Sequence, residues 1–150
     1  MKLILNNLKD TKRFGKKLAQ IARQDDIFLL IGNLGSGKTT IARAFIKYLT
    51  KSDKIISPTF PMLITYEYDN NIIWHYDMYR LENPADVWNL NLEDALNSGI
   101  ILIEWPEIIE HLIPSKKIEI ILNELEENRR SVEIKGRKEL LKEFESFNIN

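Results

Sequence analysis

The run Ile27-Phe28-Leu29-Leu30-Ile31, followed by Gly32-Asn33-Leu34-Gly35-Ser36-Gly37-Lys38-Thr39, constrains this chain more than any other stretch. An unbroken apolar run reads as a strand buried on both faces. The residues after it match G-x-x-x-x-G-K-[ST], and a helical pattern begins at once, so the motif stands between the two elements it requires. The residue types follow from the chemistry. Glycines let the backbone curl so that successive N–H groups form an anion-binding nest. A helix starting there adds its positive end to the same spot. Lys38 supplies a point cation for phosphates, and the Thr39 hydroxyl suits Mg²⁺.

The rest of the chain supports one α/β domain, as its 150 residues suggest. Leu3–Leu5 reads as a short edge strand, and Asp10 or Thr11 as the cap of a helix reaching about Arg23, with Phe14, Leu18 and Ile21 on one face. The helix after the glycine loop runs over 38–49. Ser57-Pro58-Thr59-Phe60-Pro61 is a loop stiffened by its prolines. Residues 62–68 and 72–76 read as a hairpin, and 92–97 as a short helix stopped by Gly99. Ile100-Ile101-Leu102-Ile103 is a second fully apolar run and hence a central strand. Residues 117–123 and 129–134 form a late hairpin, and a charged helix over 137–147 closes the chain. Two buried runs, two hairpins and few helices predict a P-loop NTPase-like sheet of mixed direction with helices packed on it. In such sheets ligands lie beyond the carboxyl ends of the strands.

The glycine-rich loop, Glu104 and the segment from His75 to Arg80 all follow strands, so these three should converge there. Glu104 ends the second apolar run, where such sites keep an acidic group for Mg²⁺. That position more often holds Asp, so Glu104 is a variant. His75-Tyr76-Asp77-Met78-Tyr79-Arg80 follows a strand. Asp77 can position or deprotonate a water, His75 reads as structural, and Arg80 can brace a carboxylate or approach phosphates. Thr59 offers a hydroxyl on the stiff loop, where switch-type NTPases sense the γ-phosphate. Trp105 reads as cover for the core edge, and Arg129-Arg130 as solvated turn residues. Thr50-Lys51-Ser52-Asp53 matches a guanine-specificity pattern. It directly follows the first helix of the motif and no D-x-x-G accompanies it, so ATP is preferred to GTP.

Composition narrows the partners. Lys+Arg number 21 and Asp+Glu 22, a formal charge of −1, where a free-standing nucleic-acid binder shows a basic excess. Any RNA is therefore expected to be held by a partner. The absence of cysteine removes disulfides and thiol chemistry and fits a reducing cytoplasm. No apolar run approaches the ~20 residues of a membrane span, and Met1-Lys2-Leu3-Ile4-Leu5-Asn6 does not read as a signal peptide.

Gly32 to Thr40, Ser57-Pro58-Thr59-Phe60, His75-Tyr76-Asp77-Met78-Tyr79-Arg80-Leu81 and Ile103-Glu104-Trp105-Pro106 occur in one order and at compatible spacings. Together they resemble the bacterial TsaE (YjeE) family, small ATPases of tRNA threonylcarbamoyladenosine biosynthesis. The resemblance implies weak ATP hydrolysis alone and action with the partner proteins TsaD and TsaB, for repeated turnover of a complex that modifies tRNA. By motif match Gly35, Ser36, Gly37, Lys38, Thr39 and Thr40 would hold phosphates, and Thr39 and Glu104 would ligate Mg²⁺. Asp77 would act on the attacking water with Lys38 as the catalytic cation, and Thr59 would sit in a switch-like loop. The family's further nucleotide contacts map to Leu8 and Asn128. The chain departs from the family pattern in the looser segment 92–99 and the highly charged last helix. Two other classes share the motif: a small-molecule or nucleotide kinase, which needs an acceptor pocket and usually an Arg-rich lid that this sequence does not show, and a nucleotide-gated scaffold without turnover.

Overall fold

Residues alternate sides along a strand, so a strand apolar at every position needs cover on both faces. That requirement organises the molecule. The structure, a computed structural model, describes residues 1–147. Strand β1 (Lys2–Leu5), helix α1 (Leu8–Ile21), strand β2 (Ile27–Gly32) and helix α2 (Lys38–Thr50) come first. The hairpin strands β3 (Leu63–Tyr68) and β4 (Asn71–Asp77) follow, then a 3₁₀ helix at Pro84–Leu90 and helix α3 (Leu92–Asn97). Strand β5 (Ile100–Glu104), a second 3₁₀ helix at Pro106–Leu112, strands β6 (Ile118–Glu126) and β7 (Arg129–Lys135) and helix α4 (Lys138–Glu145) complete the chain.

The seven strands form one sheet in the order β1-β7-β6-β2-β5-β4-β3. The central pairs β6–β2, β2–β5 and β5–β4 are parallel, and antiparallel β7, β1 and β3 finish the two sides. Phe28 and Leu30 face one core with Phe14, Leu18, Phe45 and Phe144, under α1, α2 and α4. Ile27 and Leu29 face the other with Tyr76, Ile101, Ile103 and Leu92, under the 3₁₀ helices and α3. Among the described residues no helix is long and apolar enough to cross a membrane.

Helix α1 is capped by Asn7 rather than by Asp10 or Thr11. The Asn7 backbone is extended and its Oδ1 accepts the Asp10 N–H at 2.9 Å, which places Asp10 inside the first turn. The second 3₁₀ helix follows a Trp105 of positive φ, a conformation with no signal in the sequence pattern. The expected edge strand, the two hairpins and the closing helix are present, with bounds shifted by a residue or a few. Gly15 lets α1 lie directly on α2: a β-carbon there would stand 2.6 Å from the Ile41 carbonyl oxygen and 2.9 Å from the Ala44 β-carbon. Gly15→Ala therefore has to push the helices apart, at a cost of about 1–3 kcal/mol. A fall in the urea midpoint with unchanged denaturant slope would show it. An unchanged midpoint would contradict that packing.

Candidate functional site

The parallel register decides which side chains meet. Asp77 pairs with Glu104 across β4 and β5, and Leu30 pairs with Glu104 across β2 and β5. Both acids and the glycine-rich loop after β2 therefore end at the same sheet edge. A cavity of about 310 Å³ opens there, lined by Gly35 through Thr40 and by Thr59, Asp77, Glu104 and Arg130 among others.

Glu104 is 2% exposed, yet both its oxygens are engaged. Oε1 accepts the Thr39 hydroxyl at 2.7 Å, and Oε2 accepts His75 Nε2–H at 2.7 Å. Burial by itself pushes the carboxyl up. The hydrogen bond and charge of His75, the Thr39 hydroxyl and the Lys38 ammonium outweigh it, so the group lies below the usual glutamate range and is a carboxylate. His75 is fully buried behind it and orients it.

Asp77 is held equally firmly. Its Oδ2 accepts the Thr59 hydroxyl at 3.1 Å and its Oδ1 the Tyr79 N–H at 2.9 Å. The Ser57 and Thr59 hydroxyls are 2.9 Å apart, so the proline-stiffened loop is tied to the end of β4. Arg80 does not line this cavity: it is exposed and lies over the Phe60 ring at 5.1 Å.

The loop itself turns at Gly35 and Gly37, both with positive φ. Gly37 is the N-cap of α2 and no side chain caps that helix, in contrast to Asn7 on α1. Its first N–H groups are thus open to the cavity. Lys38 Nζ donates to the Gly32 carbonyl at 2.5 Å and the Asn33 carbonyl at 2.9 Å, with Ser36 Oγ at 3.4 Å. The Trp105 ring covers it at 4.0 Å and packs on Tyr79. Burial lowers the Lys38 pKa, offset in part by Glu104, Glu107 and Asp77. Trp105 therefore lies against the site cation, a contact that "cover for the core edge" did not anticipate.

The outlying residues are placed as follows. Leu8 is 45% exposed and lines a neighbouring groove between α1 and α2 that shares Thr40 with the cavity. Asn128 sits exposed in the β6–β7 turn with φ 61°. Two residues on, Arg130 is buried and not solvated: its Nη2 donates to the Gly35 carbonyl at 3.2 Å and its Nη1 to Thr11 Oγ1 at 3.4 Å. The sequence does carry a signal for this. Arg130 has the same strand parity as Val132 and Ile134, which face the core.

Residues 5–132 match the family model described as threonylcarbamoyl adenosine biosynthesis protein TsaE. The chain belongs to the TsaE family. It is 50% identical over 129 residues to a tRNA threonylcarbamoyladenosine biosynthesis protein TsaE of Rickettsia felis, covering 85% of this chain and 75% of that one. It is 30% identical over 127 residues to the Bacillus subtilis protein of the same description, covering 84% and 79%. The crystal structure of YdiB from Bacillus subtilis superposes with a TM-score of 0.72 at 24% identity, over 97% of this chain and 91% of that one, which shows the shared fold. A role in threonylcarbamoyladenosine biosynthesis on tRNA goes with the family.

Because Glu104 joins β5 to His75 and Thr39, its removal strands a buried imidazole. Glu104→Ala is expected to lower unfolding free energy by about 2–3 kcal/mol. Glu104→Gln retains an acceptor and should lose less than half of that. Equal losses in chemical denaturation would contradict the pairing.

Proposed function

We propose that this chain is a Mg²⁺-dependent ATPase that serves the threonylcarbamoyl modification of tRNA together with the TsaB and TsaD proteins. The observation that carries the reading is the 2.7 Å contact between the Thr39 hydroxyl and the Glu104 carboxylate beside an uncapped helix start. The loop and the first turn of α2 offer backbone donors and the Lys38 ammonium to a polyphosphate. Thr39 and Glu104 offer hard oxygens at one point, a donor set that suits Mg²⁺, which takes few protein ligands and completes its shell with phosphate and water oxygens. Among the described residues no cluster of three or more His, Cys, Asp or Glu forms a metal cage. Bound Mg²⁺ would neutralise phosphate charge.

This chain's own residues then divide the work. His75 fixes the Glu104 carboxylate through Oε2, leaving Oε1 directed at Thr39. Asp77 presents a carboxylate to the cavity with its rotamer set by Thr59 and the Tyr79 N–H, as orienting or deprotonating a water requires. The Thr59 loop senses the site through that bond, since any shift of the loop moves the Asp77 carboxylate. The Trp105 ring, packed on Tyr79, covers Lys38 and limits water on that side of it. tRNA is contacted through the partners, in keeping with the −1 charge.

In a mixture with TsaB and TsaD, ATP hydrolysis should rise above that of the chain alone. Asp77→Asn should lower the stimulated kcat by about 100-fold or more while ADP affinity stays within about twofold, a KM-type term that the carboxylate does not supply. Undiminished turnover in that variant would remove Asp77 from the chemistry. ATP-dependent phosphorylation of a metabolite, with no effect of TsaB and TsaD, would favour a kinase instead.

A further inference from the structure

Arg130 stands in an unusual position for an arginine. It occupies a core-facing place at the start of β7 and is 7% exposed. Its two hydrogen bonds go to neutral oxygens, the Gly35 carbonyl at 3.2 Å and Thr11 Oγ1 at 3.4 Å. Its Nε is buried and has no hydrogen-bond partner. Among the described residues, none of the ion pairs involves it. Its cross-strand neighbour on β6, Glu124, is exposed and forms no ion pair with it. A guanidinium cannot shed its proton, so burial without an anion is costly.

The guanidinium stands where an anion is expected. It lines the same cavity as Lys38, Thr39 and Thr40. A β-carbon on Gly37 would lie 3.1 Å from its Nε and 3.4 Å from its Cζ, so the glycine leaves room for it against the loop. Lys38 and Glu104 come from α2 and β5, whereas Arg130 enters from the β6–β7 hairpin, beyond the other neighbour of β2. A donor from that side also engages the loop, because its Nη2 holds the Gly35 carbonyl and so polarises the peptide that follows.

We propose that Arg130 is a nucleotide-positioning residue, the buried cation whose compensating anion is the polyphosphate held by the glycine-rich loop. It ties the late hairpin and α1 to that loop and makes their docking respond to phosphate. This assignment rests on the nucleotide reading of the site.

The test compares wild type, Arg130→Met and Arg130→Lys in the full-length chain, by titration with MgADP and by thermal unfolding without nucleotide. Removing an uncompensated buried charge should leave the unfolding midpoint unchanged or raise it, while weakening MgADP binding by about 10–100-fold, the loss of a charge-assisted contact. Arg130→Lys keeps the charge without the fork and should recover part of that affinity. The opposite pattern overturns the proposal: a lower midpoint, or a variant that does not fold, with MgADP affinity unchanged wherever protein folds, makes Arg130 a structural brace. Wild-type protein that does not bind MgADP removes the nucleotide reading itself, whereas wild-type binding matched by Arg130→Met removes only this role for Arg130.

Discussion

A carboxylate buried at the end of a central strand has to be compensated, and here the compensation holds the site together. Glu104 leaves β5, takes one hydrogen bond from His75 on β4 and one from Thr39 on α2, and thereby fixes the edge of the sheet relative to the helix that follows the glycine-rich loop. Parallel pairing makes this possible, because parallel neighbours such as β2, β5 and β4 bring their carboxyl ends to one edge. The Asp77 carboxylate is next along that edge, and the loop carrying Thr59 hangs from it. Without the charged oxygens of Glu104 the buried imidazole, the start of α2 and the strand ends would have to find other partners.

The fold was legible where a single physical demand dominates. Two runs with no polar position, at 27–31 and 100–103, could only be strands covered on both faces, and they are neighbours in the sheet. The acids that follow strands, Asp77 and Glu104, were readable for the same reason: a charge placed directly after a core strand sits at the sheet's edge. The 3₁₀ helix after Trp105 was not legible, because it depends on a left-handed backbone at a bulky residue that local pattern does not favour. The cap of α1 lies three or four residues before the expected Asp10 or Thr11 because Asn7, Asp10 and Thr11 are all plausible caps, and only the extended backbone at Asn7 decides among them.

The site shows the same division. Thr39, Glu104 and Asp77 reach one sheet edge as their places after strands suggested, and Thr59 is brought to Asp77 by its loop, whereas the environments of His75 and Trp105 are long-range facts. His75 could be read as structural from its sequence, yet the group it serves lies in another strand. Arg130 shows how composition can mislead. Two adjacent arginines in a charged hairpin read as solvent-facing, but a two-residue period sends them to opposite faces, and one ends up beneath the loop. Net charge averages such placements away, and so it says little about where a single cation is put to use.

On the proposed reading the Thr39–Glu104 contact marks a cation site that exists only beside a phosphate. Titration of ADP with and without Mg²⁺, for wild type and Glu104→Gln, tests that most directly. The cation site predicts that Mg²⁺ tightens ADP binding to the wild type and that Glu104→Gln loses this gain while keeping its Mg²⁺-free affinity. The same Mg²⁺-dependent gain in both proteins would contradict it.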